Sequence, residues 1–166
     1  KAKRIRWFGI DRSAKQGGIW ENDIVEVGYK YQMTDIAASL GIAALEEFDE
    51  MLAHRKKLLS IYEENLSSVS GIKVVGNGKN DRTHAAWLCT ILVENRYDLQ
   101  RKLAENNIES NQVHYRNDRY TIFKDFWHDC EFPAMDRVED DYLVLPIHHK
   151  VSEEDVLRIC DLVRRG

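Results

Sequence analysis

From Thr34 onward, apolar residues recur at helical spacing: Ile36, Leu40, Ala43 and Ala44, Phe48, Met51 and Leu52, Leu58 and Leu59, Tyr62 and Leu66. Steps of three and four place them on one helix face. Thr34 precedes the run as a candidate N-cap, and Asp35 puts a negative charge in the first turn, where the macrodipole favours it. The pattern runs from 34 to 66, longer than an ordinary globular helix. The acidic cluster Glu46, Glu47, Asp49 and Glu50 suits the start of a second helix, so a bend is expected near 45–47. Ala37, Ala38, Ser39, Gly41, Ala43 and Ala44 crowd the first half and let another backbone approach closely, in a core or at a subunit seam.

After Gly71 the period changes. Residues 72–75 predict a short strand, Gly76-Asn77-Gly78 a turn, and 87–93 a buried strand rich in β-formers. A helix over 97–105 carries Leu99 and Leu103 on one face and stops at Asn107. Residues 108–115 and 142–145 read as further strands, the latter stopped by Pro146. Ser152-Glu153-Glu154-Asp155 approximates a capping box and opens a last helix bearing Val156, Leu157, Cys160 and Val163. Residues 71–166 are therefore expected to form an α+β unit, a three- to four-stranded sheet with helices on one side. Residues 1–30 show neither period. Ile5, Trp7, Phe8, Ile10, Ile19 and Trp20 are scattered among Gly9, Gly17 and Gly18, and two tryptophans in an irregular segment call for a packing surface: this domain's own core or, the reading favoured, a surface outside this chain.

Composition narrows the class. Of 166 residues, 43% are apolar and 31% charged, which excludes a disordered or low-complexity chain. The longest nearly apolar stretch, 36–45, is too short to span a bilayer. A net charge of −4 argues against nucleic-acid or anionic-membrane partners. The 3 cysteines lack a C-x-x-C and the 6 histidines lack ligand spacing, so neither a disulfide framework nor a metal site is expected. The apolar run at 7–10 is too short for a secretory leader, and the reading is cytoplasmic.

Motifs for nucleotide loops, serine nucleophiles and metalloproteases are absent. Two clusters remain. Gly28-Tyr29-Lys30-Tyr31-Gln32-Met33-Thr34-Asp35 sets a lysine and two tyrosines ahead of a helix N-terminus, the ingredients of a phosphate site. The plain alternative is a surface lysine before a capped helix. In the second cluster, 113–120, His114, Tyr115 and Arg116 would emerge at a strand end, where a scaffold presents binding residues. The alternative there is a polar loop with one half-buried tyrosine.

These clusters carry a resemblance. G-Y-K-Y-Q-M-T-D-I-A-A-S-L-G-I-A-A-L at 28–45 closely resembles the same region of the DegT/DnrJ/EryC1/StrS family of pyridoxal-phosphate-dependent sugar aminotransferases. R-W-F-G-I-D-R at 6–12, the aromatic strand around His84–Trp87, V-H-Y at 113–115, and L-P-I-H-H with S-E-E-D within 145–155 fall in the family's order. The resemblance implies the small C-terminal domain of a fold-type I aminotransferase, with 31–70 as the connecting helix or helix pair and 1–30 as the end of a large cofactor domain. It implies a homodimer that moves an amino group, from a donor such as glutamate, onto a keto-sugar nucleotide. By the same resemblance Lys30 would reach the cofactor phosphate of the neighbouring subunit. Tyr31, His114 and Tyr115, with Trp7 and Arg12, would line the sugar-nucleotide side. The family's Schiff-base lysine lies upstream of R-W-F-G-I, so no catalytic residue is expected in this chain, no covalently bound pyridoxal phosphate, and no activity in isolation. A stand-alone dimerisation or ligand-sensing module is the alternative.

Overall fold

The computed structural model of the chain describes residues 1–18, 24, 26–76, 81–127 and 130–165. The chain divides into two units, Lys1–Glu47 and Phe48–Gly166. In the first, two short helices, α1 (Ala2–Ile5) and α2 (Arg12–Gln16), fall in the segment read above as irregular. Ile19 and Trp20 lie outside the described residues. Thr34 caps α3 (Asp35–Glu46): its Oγ1 accepts the Ala37 N–H at 3.2 Å. The acidic cluster ends this helix at Glu47, as the sequence predicts, and no residue of α3 is buried.

The second unit holds α4 (Phe48–Leu66), β1 (Ile72–Val74), β2 (Cys89–Val93), α5 (Arg96–Glu105), α6 (Lys124–Trp127), α7 (Pro133–Val138), β3 (Tyr142–Leu145) and α8 (Glu153–Arg164). The sheet is antiparallel throughout, in the order β1-β2-β3. Cys89 pairs with Leu145 and Ile91 with Leu143, while Ile72 and Val74 pair with Val93 and Ile91. Because side chains alternate along a strand, Cys89, Ile91, Val93, Leu143 and Leu145 share one face. That face meets Leu58, Leu59, Tyr62 and Leu66 of α4, Leu99 and Leu103 of α5, and Val156, Ile159, Cys160 and Val163 of α8 in one core. Each fully buried aliphatic side chain there contributes about 1.5–3 kcal/mol.

Two polar devices hold the frame. The Tyr62 hydroxyl donates to the Pro146 carbonyl at 2.9 Å, tying α4 to the end of β3. Burial raises this phenol well above its ordinary pKa, so it stays a donor. At α8 the capping box is complete: Ser152 Oγ accepts the Asp155 N–H at 3.0 Å, and the Asp155 carboxylate accepts the Ser152 N–H at 2.9 Å. The bonds that the Ser152 N–H and hydroxyl donate to this carboxylate lower the Asp155 pKa.

The structure corrects one expected element. Residues 108–115 are not a strand; Asn111 forms a single bridge to Val144, accepting its N–H at 2.9 Å. Ile108 is drawn into the core, and Val113 turns the chain at φ +60°, so extended pairing cannot continue. Asn77 and Gly78 of the expected turn lie outside the described residues. No described helix is long and apolar enough to cross a membrane. Among the described residues, no group of three or more His, Cys, Asp or Glu could hold a metal ion.

Candidate functional site

The 113–120 loop is built on strain. His114 N–H donates to the Gln112 carbonyl at 2.6 Å, closing a three-residue turn around Val113 at φ +60°. A positive-φ γ-turn is strained, and a β-branched residue fits it worst. Such strain persists only where surrounding bonds over-determine it. Here they do. Asn111 Oδ1 accepts the Val113 N–H at 2.7 Å, and Gln112 Nε2 donates to the Glu139 carbonyl at 2.6 Å. The Tyr142 hydroxyl, at the start of β3, lies 3.1 Å from the His114 nitrogen and donates to its carbonyl at 3.0 Å.

Arg116 supplies the second anchor. Its guanidinium is buried and grips Asp118 through two bonds, Nε–Oδ1 at 2.9 Å and Nη2–Oδ2 at 2.6 Å. Nη1 reaches Asp136 at 2.5 Å and Glu139 at 3.0 Å, one helical turn apart around α7. Arg119 closes the network on Glu139 at 2.6 Å. The hydrogen bonds to Asp118 and Asp136 raise the Arg116 pKa, and the same guanidinium depresses that of Asp118. Sequence reasoning placed Arg116 beside His114 and Tyr115 at a strand end. Instead its guanidinium is buried and paired with carboxylates, while the residue, with Asn117 and Asp118, still lines the cavity beside it.

What remains exposed is aromatic. A cavity of about 560 Å³ is lined by Val113, His114, Tyr115, Tyr120, Phe132, Met135 and Tyr142, among others. The Tyr115 and Tyr120 rings meet edge to face at 5.3 Å, and Trp87 lies 5.7 Å from the His114 imidazole. The lining offers π-faces for stacking, with an imidazole and phenols able to hydrogen-bond. His114 and Tyr115 were legible in the sequence. Tyr142 and Trp87 were not, because both read as strand residues; the carboxylates Asp136 and Glu139 could have been found from their i, i+3 spacing.

The other predicted residues gather in the Lys1–Glu47 unit. Trp7 and Lys30 form an antiparallel bridge, with the Tyr29 N–H donating to Ile5 at 2.7 Å and the Tyr31 N–H to Arg6 at 2.9 Å. Gly28 is required by this approach, since a Cβ there would run into the backbone nitrogen of Gly9. Arg12 stands 5.6 Å from the Trp7 ring centroid, and the Tyr29 and Tyr31 rings stack at 5.1 Å. Lys30 is exposed and makes no ion pair among the described residues. The structure thus brings Trp7, Arg12, Lys30 and Tyr31 into one unit, and His114 and Tyr115 into the other. At the α3 N-terminus that follows Lys30, Thr34 takes the Ala37 N–H and Asp35 adds a negative charge.

A small α+β domain with a clamped aromatic loop, preceded by a glycine-pinned aromatic and basic segment, is the class these features define. The DegT/DnrJ/EryC1/StrS aminotransferase family model matches residues 1–164. The chain belongs to that family. It is 31% identical to an uncharacterized protein of Methanocaldococcus jannaschii over 99% of this chain and 46% of that one. It is 29% identical to the GDP-perosamine synthase of Escherichia coli O157:H7, over 82% of this chain and 37% of the enzyme. Among solved structures, the sugar aminotransferase CalS13 of Micromonospora echinospora superposes with a TM-score of 0.89 at 25% identity, covering 99% of this chain and 43% of that one. The Streptococcus pneumoniae putative sugar aminotransferase Spr1654, in its PMP form, gives 0.83 at 28% identity, covering 98% and 43%. The chain spans less than half the length of each of these relatives.

The loop yields two predictions. Val113→Gly removes a β-branched side chain from a strained turn, a relief of about 1–3 kcal/mol against an entropic loss of about 0.5–1. Denaturant unfolding is expected to show the variant as stable as the parent or about 1 kcal/mol more so. Asp118 has its folded pKa lowered by Arg116. Its contribution is therefore present above the unfolded value of about 3.9 and lost as pH falls through the folded value. Asp118→Asn should lower Tm at neutral pH, and the gap to the parent should close in thermal melts as pH falls below the unfolded value and through the depressed folded one.

Proposed function

We propose that this chain is the C-terminal part of a pyridoxal-phosphate-dependent nucleotide-sugar aminotransferase. It would move an amino group from an amino acid such as glutamate to a keto-sugar nucleotide. The observation that carries this reading is a family match across residues 1–164 in a chain that spans less than half of its relatives. Two of those relatives are named for GDP-perosamine synthesis and for transamination of a UDP-linked amino sugar. On this reading the Schiff-base lysine lies in the part of the enzyme upstream of this sequence, and the chain alone is inactive. Residues 1–30 close the large cofactor domain, 31–70 connect, and 71–166 form the small domain. The enzyme works in the cytoplasm.

Spr1654 is described in both PLP and PMP forms. The residues here fit such a cofactor to a limited extent: Lys30 offers an exposed cation for a neighbouring subunit's cofactor phosphate, without help from the α3 N-terminus. When bound, pyridoxal phosphate supplies the electron sink that amino transfer needs. The protein's own groups bind and orient. Tyr115 and Tyr120 stack on the sugar ring, and the His114 imidazole, fixed through its backbone by Tyr142, hydrogen-bonds a sugar hydroxyl. Tyr31, Trp7 and Arg12 act on the nucleotide side.

The test uses a longer protein that carries this sequence at its C-terminal end. Amino transfer from glutamate to a 4-keto nucleotide sugar is expected, and His114→Ala should lower kcat/KM by about tenfold or more, as loss of one good hydrogen bond implies. No transfer to any keto-sugar nucleotide would overturn the assignment. The 166-residue chain by itself should take up pyridoxal phosphate into no borohydride-stable adduct.

Exposed α3 supports the homodimer. Ile36, Leu40, Ile42 and Leu45 are each more than 60% exposed on a helix rich in alanine. Apolar surface of this extent favours a closed pair. Ala38→Glu or Ala44→Glu should shift sedimentation towards monomer, whereas Asp49→Lys should not. A soluble monomer at high concentration in the unmodified chain would refute the seam.

A further inference from the structure

Just ahead of β2, Trp87 stands beside the candidate site, its ring 5.7 Å from the His114 imidazole. Its backbone is set by the residue before it. Ala86 is fully buried at φ +51°, a left-handed conformation that a residue other than glycine rarely adopts. Burial also takes its N–H away from water, so that donor needs a protein acceptor. The acceptor is Nδ1 of His84, at 2.9 Å. The imidazole is half-buried and sits against Gly76, where a Cβ would come to 3.0 Å from Nε2. One more bond reaches Trp87: its carbonyl accepts from Arg55 Nη1 of α4 at 3.4 Å.

An imidazole nitrogen accepts an N–H only through its lone pair. The ring that holds Ala86 is therefore neutral, with its proton on Nε2. A proton from solvent on Nδ1 would fill that lone pair and set two donors face to face. The charged ring has another partner at hand in Glu63 of α4, whose carboxylate is close enough for the two charges to act on one another. Burial raises the Glu63 pKa, and His84 opposes that rise. On the segment of His84 itself, Asp81 and Arg82 pair with each other. Beyond Trp87 the titratable neighbour is His114.

We propose that His84 is a positioning residue that works as a pH-sensitive latch: neutral, it holds the Ala86 turn and with it Trp87 against His114; protonated, it turns to Glu63 and releases both. The latch is intact on the alkaline side and is lost as pH falls through the histidine range. Its consequence for sugar binding rests on the aminotransferase reading, whereas the latch itself rests on the Ala86 geometry alone.

NMR of the 166-residue chain tests it by following the His84 ring nitrogens, the Ala86 amide and the Trp87 indole N–H from about pH 8 to about pH 5. At the alkaline end, His84 should show an unprotonated Nδ1 and a protonated Nε2. On acidification the Ala86 amide and the Trp87 indole should move with the His84 midpoint. Protection of the Ala86 amide from exchange should fall about tenfold or more, as loss of one hydrogen bond implies. His84→Ala should lack that protection at both ends of the range. His84→Asn, whose Oδ1 can accept the N–H two residues on, should keep it at both ends. A side chain that merely fills space would give neither this rescue nor the pH profile. In His114→Gln, which removes the neighbouring imidazole, the indole should still titrate with His84. If His84→Ala loses its native circular dichroism, the parent's ring nitrogens and the asparagine variant carry the test. A neutral ring protonated on Nδ1, an Ala86 amide that stays still while His84 titrates, or an asparagine variant as unprotected as the alanine one would overturn the latch. None of these measurements involves turnover, so failure here is distinct from absence of amino transfer in the longer protein.

Discussion

The register of β2 against β3 governs the second unit. Pairing Cys89 with Leu145 and Ile91 with Leu143 sends five apolar side chains to one face, where α4, α5 and α8 cover them. The same alternation puts Tyr142 on the other parity, across from Leu92. From there its hydroxyl reaches His114. A slip of one residue would exchange the faces, exposing the core set and removing the anchor of the loop together. Core and candidate site are therefore two consequences of one pairing.

That coupling explains how a strained turn survives. Val113 at φ +60° would relax in a free loop, but the segment is fixed on both sides. Tyr142 holds His114 from the sheet, and Arg116 ties the following turn to Asp118, to Asp136 of α7 and to Glu139 at its C-cap. The clamp uses a planar fork with five donors, which a lysine could not copy. Its outcome is selective. The Arg116 charge is paired beneath the loop while Tyr115 and Tyr120 stay exposed above it.

Local chemistry was legible in the sequence where one element carried its own signal. The break at Glu47 followed from an acidic cluster, the α8 box from Ser152 and Asp155, and β3 from an apolar run stopped by a proline. Signals that depended on distant partners were hidden. Residues 108–115 have strand-like composition, yet Ile108 is claimed by the core and Val113 by the turn, so one bridge is all that remains. Arg116 looked like a ligand residue because its carboxylate partners at 136 and 139 lie far along the chain. The glycine of G-Y-K-Y gave no local sign of what it does. Its role is to let residues 28–31 approach 5–9, a contact no periodicity encodes.

The two units differ in how far they satisfy themselves. Among the described residues, every buried apolar side chain belongs to Phe48–Gly166, where the buried Tyr62 and Arg116 also find partners. The Lys1–Glu47 unit buries no large hydrophobic residue among those described, and its α3 exposes isoleucine and leucine along most of its length. At about 25 cal/mol per Å², such a surface gains several kcal/mol when covered. The same unit carries Lys3, Arg6, Arg12 and Lys30 without counter-ions among the described residues. Apolar exposure calls for protein, and uncommitted cations call for an anion. The Lys1–Glu47 unit thus leaves both its apolar surface and its cations uncovered, where the Phe48–Gly166 unit packs a core and pairs its buried guanidinium.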